Sequence, residues 1–71
     1  MLRYKIISRE NGWNLYEYRP EGEGRPGIIA IHDNGKCKII DDSPDDFKGI
    51  YRGHAFWGID ISRDSGTVAW Y

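Results

Sequence analysis

Cysteine is nearly missing from this sequence, since Cys37 is the only one among 71 residues. A lone cysteine excludes an internal disulfide and any zinc site built on paired thiolates. Secreted domains this small usually depend on disulfides, so we expect a cytoplasmic protein. The longest apolar runs have four residues, as in "IIAI", and we therefore expect neither a signal peptide nor a membrane span.

An excess of charge of one sign is also missing. Ten basic and eleven acidic residues give a net charge of -1. This balance argues against a dedicated nucleic-acid binder and against adhesion to anionic membranes. The length predicts a single domain, 1–71, with one thin core, and leaves no room for a dinucleotide-binding fold.

Aromatic residues, in contrast, are abundant, with three Trp, five Tyr and two Phe. A core of this size has difficulty burying so many large rings. Trp and Tyr are also enriched at protein interfaces. We therefore expect some of these rings to be exposed or shared with a partner.

The first half of the chain predicts two hairpins. Asn11-Gly12 separates "YKIISRE" from "WNLYEYR", and Asn-Gly favours the type I′ turn of a two-residue hairpin loop. Strict pairing from this turn places Glu10 opposite Trp13 and makes one face cationic and aromatic. That face consists of Lys5, Arg9, Tyr16 and Tyr18.

After a Pro/Gly-rich loop, "RPEGEGRPG", the segment "GIIAIHDNGKCKIIDD" repeats the hairpin pattern around Asn34-Gly35. The same two-residue turn would place His32 opposite Cys37 and Ala30 opposite Ile39.

The stretch "DDSPDDFKGIYRGHAFWGIDIS" supports two interpretations. Ser43 suits a helix cap, Pro44 suits the first turn, and apolar residues recur every three or four positions as far as Ile61, which predicts a helix over 43–61. Several glycines and the alternation within Ala55–Ser62 favour instead a helix ending near Arg52 and a third hairpin. Both interpretations end in a strand, Thr67–Tyr71.

We therefore predict an α+β fold, with a small antiparallel sheet of four or five strands and one helix packed on a face. Its strands are the two Asn-Gly hairpins and a C-terminal strand. The expected core is Tyr4, Ile6, Leu15, Ile28, Ala30, Ile39, Phe47, Ile50, Tyr51, Ile61, Val68 and Trp70.

The back of the predicted helix is apolar as well, which indicates contacts on both sides. Either the chain's own loop or terminal strand covers this face, or a partner does. The C-terminal rings either dock in the sheet or are offered to a partner. The candidate interface residues are Gly49, Gly53, Phe56, Ile59, Trp70 and Tyr71.

The segments "YRGHAFWGI" and "GTVAWY" give the chain a resemblance to a group of small uncharacterised bacterial proteins. Members of that group have a Tyr-rich N-terminal hairpin, a Gly-rich loop, a helix containing "HA" and a C-terminal "VAWY". The resemblance implies the fold described above and implies no catalytic residue.

Sites for chemistry have weak signals. His32, Cys37 and His54 could form a three-ligand zinc site, but no spacing motif supports it. Cys37 with His32 lacks a third catalytic group. The acidic run "DDSPDD" does not match a calcium loop and is typical of helix capping and solvation.

We therefore expect a non-enzymatic protein-interaction module without a cofactor, whose partner is another protein or a second copy in a homodimer. The alternative is a single-stranded nucleic-acid-binding protein. It would use the basic and aromatic face of the first hairpin, because bases stack on aromatic rings and phosphates pair with cations.

Overall fold

A computed structural model describes residues 1–22, 24–46 and 49–69. The elements in chain order are β1 (Leu2–Glu10), β2 (Trp13–Pro20), β3 (Gly27–His32), β4 (Cys37–Asp41), α1 (Ile50–Gly58) and β5 (Ser65–Val68). The strands form one antiparallel sheet in the order β4-β3-β2-β1-β5. The predicted α+β fold with one helix is confirmed. Within the described ranges, no helix has the length and apolarity needed to cross a membrane.

The first hairpin forms at the predicted turn. Asn11 and Gly12 have φ values of 54° and 80°, as a type I′ turn requires. Glu10 lies opposite Trp13 as predicted. The turn chemistry therefore sets the register at this end of the hairpin.

Further from the turn the predicted register is wrong, because β1 contains a bulge between Ile6 and Ser8. The extra residue shifts the pairing by one, so that Ile6 lies opposite Tyr16 and Tyr4 opposite Tyr18. A one-residue shift moves side chains to the other face of a sheet. The apolar residues of β1 thus join the two tyrosines of β2.

The core forms between this face of the sheet and α1. Tyr16 and Tyr18 are completely buried in it. The predicted core residues Tyr4 and Ala30 are also buried, but Ile39 is 42% exposed. The core cluster consists of Leu2, Tyr4, Tyr16, Tyr18, Ile29, Ile31, Ala55 and Ile59.

The second hairpin also forms, but its predicted register is wrong by one residue. The Gly35 amide donates to the His32 carbonyl at 2.9 Å, and only Gly35 of the Asn34-Gly35 pair has positive φ. The turn therefore spans His32 to Gly35 and is not a type I′ turn centred on Asn34-Gly35. As a result, Cys37 lies opposite Ile31.

Helix α1 is shorter than the predicted 43–61 helix. Its first turn is bonded by Asp46, whose carboxylate oxygens accept the amide protons of Tyr51 and Arg52 at 2.8 and 3.0 Å. Gly49 precedes it with φ 72°. The third-hairpin interpretation is also wrong, since Ala55–Gly58 is helical and no strand follows until Ser65.

The helix is also rotated relative to the prediction. Ala55 and Ile59 face the sheet, whereas Ile50 and Trp57 are 50% and 93% exposed. Apolar residues occupy both the sheet-facing side and the outer side of the helix. The apolar period alone therefore does not show which side is buried. At the end of the helix, a Cβ on Gly58 would lie 2.4 Å from a methyl group of Val68, which explains the glycine at this close approach.

The C-terminal strand β5 is Ser65–Val68 and pairs with β1. The predicted strand extended to Tyr71. Phe47, Trp70 and Tyr71 lie outside the described residues.

Candidate functional site

The outer face of α1 carries the most exposed large apolar side chain of the described residues. Trp57 is 93% exposed, and Ile50, two turns earlier, is 50% exposed. Gly53 lies between them, and a Cβ built on it would have nothing within 4 Å. We call Ile50, Gly53 and Trp57 the helix stripe. It is an apolar surface with a depression at its centre.

Only some of the predicted interface residues lie at this surface. Gly53 belongs to the helix stripe, and Gly49 is the residue that precedes the helix. Ile59 is buried, and Phe56 is half-buried against the core. Both face the sheet and so do not form the outward face that the predicted rotation gave them. Trp70 and Tyr71 lie outside the described residues.

The face predicted to bind nucleic acid is not formed. Tyr16 and Tyr18 are buried under α1. Lys5 lies opposite Glu17 on the other face of the sheet, because of the bulge in β1. Only Arg9 remains beside Tyr16, where its guanidinium lies 3.5 Å from the hydroxyl. These four residues therefore offer no stacking surface.

The buried tyrosines have structural partners instead. The Tyr16 hydroxyl donates to the Arg63 carbonyl at 2.8 Å. The Tyr18 hydroxyl donates to Asp46 at 3.1 Å and accepts the Ser43 amide proton at 3.2 Å. Burial raises the pKa of Tyr18 from 10.0 to about 12, because ionisation would place a charge in the core.

The predicted ligands of a metal are separated. His32 pairs with Trp13 on the face of the sheet opposite α1, and the two rings lie 4.8 Å apart at 84°. Cys37 is exposed and pairs with Ile31, whose side chain is in the core under α1. His32 and Cys37 thus point to opposite faces, which also separates the predicted nucleophile pair. The described residues contain no group of three metal-ligating side chains.

The aspartates of the acidic run bind mainly to other residues of the same chain. Asp42 accepts from Arg52 at 2.5 Å. Asp45 accepts from the guanidinium of Arg25 at 3.0 Å, and this hydrogen bond lowers the pKa of Asp45. With Asp46 bonded to the first turn of α1, the expected role in helix capping is confirmed for that residue.

The sheet face opposite α1 was not singled out by the sequence, and we call it the open face. At one end, the Lys38 ammonium lies 4.3 Å from the Trp13 ring centroid. At the other end, Arg3, Lys5 and Arg19 surround a cleft of about 760 Å³. Sequence reasoning missed this grouping because it depends on the bulge in β1 and on β5 pairing beside β1.

No family model, curated protein or solved structure matches the chain. The resemblance to a group of small bacterial proteins stays a prediction.

Proposed function

We propose that this chain is a small, non-enzymatic protein-interaction module that pairs with a second copy of itself through the helix stripe. The observation that carries the proposal is Trp57, which is 93% exposed. Tryptophan is among the residues most enriched at the energetic centres of interfaces. Among the exposed large apolar side chains of the described residues, its ring has the largest exposed fraction left for a partner to bury.

The stripe is suited to pairing with itself. Ile50 and Trp57 lie three and four residues from Gly53, on either side of it. If two helices cross antiparallel at Gly53, Trp57 of each copy meets Ile50 of the other. A two-fold interface requires such self-complementarity, and the glycine allows the helices to approach closely.

The size of this contact predicts a weak dimer. A buried aromatic side chain contributes roughly 150–250 Å². Two tryptophans and two isoleucines therefore fall short of the roughly 1,200 Å² at which stable interfaces begin. We expect a dimer whose dissociation constant lies in the micromolar range, so that it forms only at micromolar or higher protein concentrations.

We assign no reaction to the protein. The proposed nucleophile pair lacked a third group in the sequence, and His32 and Cys37 point to opposite faces of the sheet. We infer a cytoplasmic location from the single cysteine, because reduced thiols persist there.

Sedimentation equilibrium of Trp57→Ala tests the proposal. Because the side chain is exposed, its loss should leave the fold intact and weaken the dimer about 1,000-fold, the effect of losing about 2 kcal/mol at each of two symmetric hot spots. The matched control is Ile7→Ala, which removes another exposed apolar side chain, 49% exposed, from β1. Equal dissociation constants for the two variants would overturn the assignment of the interface.

A further inference from the structure

Two arginines face each other across the first hairpin. Arg3 lies directly opposite Arg19 in the pairing of β1 with β2. Both belong to the open face, away from α1. Like charges directly opposite one another in a sheet are destabilising. This pair is therefore an electrostatic cost in the folded chain.

A third cation lies beside this pair. Lys5 follows two residues after Arg3 on the same face, opposite Glu17 and Ser65. Among the described residues, Glu17 is the one carboxylate that lines the cleft, and it lies 3.7 Å from Arg19. The described residues that line the cleft, with three cations and one carboxylate, carry a net charge of +2, within a chain whose net charge is -1.

In the part of the chain that the structure describes, one of the three cations is bound by its own chain and two have no ion-pair partner. The Arg19 guanidinium donates to the Gly24 carbonyl at 3.3 Å in addition to its contact with Glu17. Among the described residues, neither Arg3 nor Lys5 has a carboxylate within 4.0 Å. The stem of Arg3 passes over Gly22, where a Cβ would be 3.4 Å from its Cδ, and Arg3 lines the cleft.

Hydroxyl groups complete the lining. Thr67 lies opposite Arg3, and Ser65 lies opposite Lys5, on β5. The cleft they share with the cations has a volume of about 760 Å³, within the usual range for small-ligand sites. Hydroxyl donors beside guanidinium and ammonium groups are the usual ligands of a phosphate group.

We propose that this cleft binds a phosphate-bearing ligand. A phosphate monoester carries a charge of about -1.5 to -2 and three acceptor oxygens, which matches the local charge of +2 and the number of cations. A single carboxylate matches neither. Bound phosphate also relieves the repulsion between Arg3 and Arg19, so binding stabilises the fold.

This site is independent of the proposed dimer. It lies on the open face, whereas the helix stripe lies on the outer side of α1. A chain that stays monomeric could still bind phosphate, and a chain that dimerises could fail to bind it. A result that contradicts one of the two proposals therefore leaves the other in place.

Amide NMR titration with inorganic phosphate, against sodium chloride at equal ionic strength, tests the site. We expect saturable shifts concentrated in β1, β2 and β5. Arg3→Ala should weaken the apparent affinity about tenfold or more, as expected for losing hydrogen bonds to a charged group. The matched control is Lys36→Ala, which removes an exposed cation from the tip of the second hairpin.

Arg3→Ala also gives a second readout. It removes the like-charge pair, so the ligand-free variant should unfold at the same or a higher temperature than the parent chain. At equal phosphate concentration, the unfolding temperature of the parent chain and of Lys36→Ala should rise more than that of Arg3→Ala. Shifts no larger than those with chloride, or equal affinities of the two variants, would overturn the proposal.

A mononucleotide and a short single-stranded oligonucleotide distinguish the sources of phosphate. If the oligonucleotide binds no more tightly than the mononucleotide, the ligand is a small phosphate ester. Tighter binding of the oligonucleotide through Arg3 assigns the site to a phosphodiester backbone. Both results support phosphate recognition in the cleft, and binding that Arg3→Ala leaves unchanged contradicts it.

Discussion

Arg9 and Asp64, which are 55 residues apart in the sequence, are joined by an ion pair of 2.7 Å between Nη1 and Oδ1. The same guanidinium donates to the carbonyls of Ile61 and Arg63, at 3.0 and 3.4 Å. Its Nε donates to the buried Asn14 at 3.1 Å. The hydrogen bonds of Arg9 therefore hold the loop between α1 and β5 against the first hairpin.

Arg9→Ala should lower the unfolding temperature more than Asp64→Ala does. Removing the carboxylate leaves the bonds to the two carbonyls and to Asn14, whereas removing the guanidinium breaks all of them. Thermal unfolding followed by circular dichroism measures the difference. Lys36→Ala is the control for loss of an exposed cation, and an equal loss in Arg9→Ala and this control would show that the network does not stabilise the fold.

Gly27→Ala should destabilise the protein by about 1–3 kcal/mol, the usual cost of overpacking. An added Cβ would lie 2.5 Å from the Tyr18 ring and 2.6 Å from the Ser43 amide nitrogen, and both neighbours are buried. Urea unfolding of the dilute monomer measures the change in the free energy of unfolding.

Gly53→Ala is the matched control for Gly27→Ala. Its Cβ meets open space, and alanine in a helix is favoured over glycine by about 0.5–1 kcal/mol. We expect this variant to be slightly more stable than the parent chain. A Gly27→Ala protein as stable as Gly53→Ala would contradict the packing around Tyr18.

Stability should fall between pH 10 and pH 12 because of Tyr18. Its pKa is about 12 in the folded protein and 10.0 in the unfolded chain, so the folded state keeps the proton longer. The contribution is fully present below pH 10 and is lost as pH rises towards 12. The loss is about 3 kcal/mol, since one pKa unit corresponds to about 1.4 kcal/mol.

Urea midpoints at several pH values should show this loss in the parent chain and a smaller one in Tyr18→Phe. The variant should be less stable near neutral pH, because the Ser43 amide and Asp46 lose their partner. Identical alkaline profiles for the two proteins would mean that Tyr18 is not the group responsible.

A cysteine at the centre of the helix stripe should form a disulfide between two copies. In a Cys37→Ser background, Gly53→Cys places the thiols at the proposed two-fold axis, where the close helix approach suits the 4.4–6.8 Å Cα separation of a disulfide. Ser62→Cys, exposed and outside the stripe, is the control. Non-reducing electrophoresis should show faster dimer formation for Gly53→Cys, and equal rates would contradict the antiparallel crossing.

Local turn chemistry made much of the sheet predictable. Asn11-Gly12 forms a turn with positive φ at both residues, and this requirement is visible in the sequence itself. The bulge in β1 is not, because Ile6 and Ile7 are equally apolar and either could face the core. Tertiary packing of the tyrosines of β2 against α1 decides between them, and it reverses the faces assigned to Tyr16 and Tyr18.

The helix, like the sheet, could be predicted from the sequence only in part. Its existence follows from the apolar period, but two apolar stripes compete for the core, and in the structure the side with Ala55 and Ile59 is the one buried against the sheet. The prediction placed Ile50 in the core and Phe56 on the outer face of the helix. The structure reverses both. The abundance of aromatic residues therefore predicted an exposed aromatic surface, but it did not predict which residues form it.

The mass of the parent chain in solution, measured by light scattering behind a sizing column over a wide range of concentrations, tests the central proposal most directly. We predict a mass that rises with concentration from 8.2 kDa towards twice that value. A mass that stays at 8.2 kDa at the highest concentration would contradict self-association through the helix stripe.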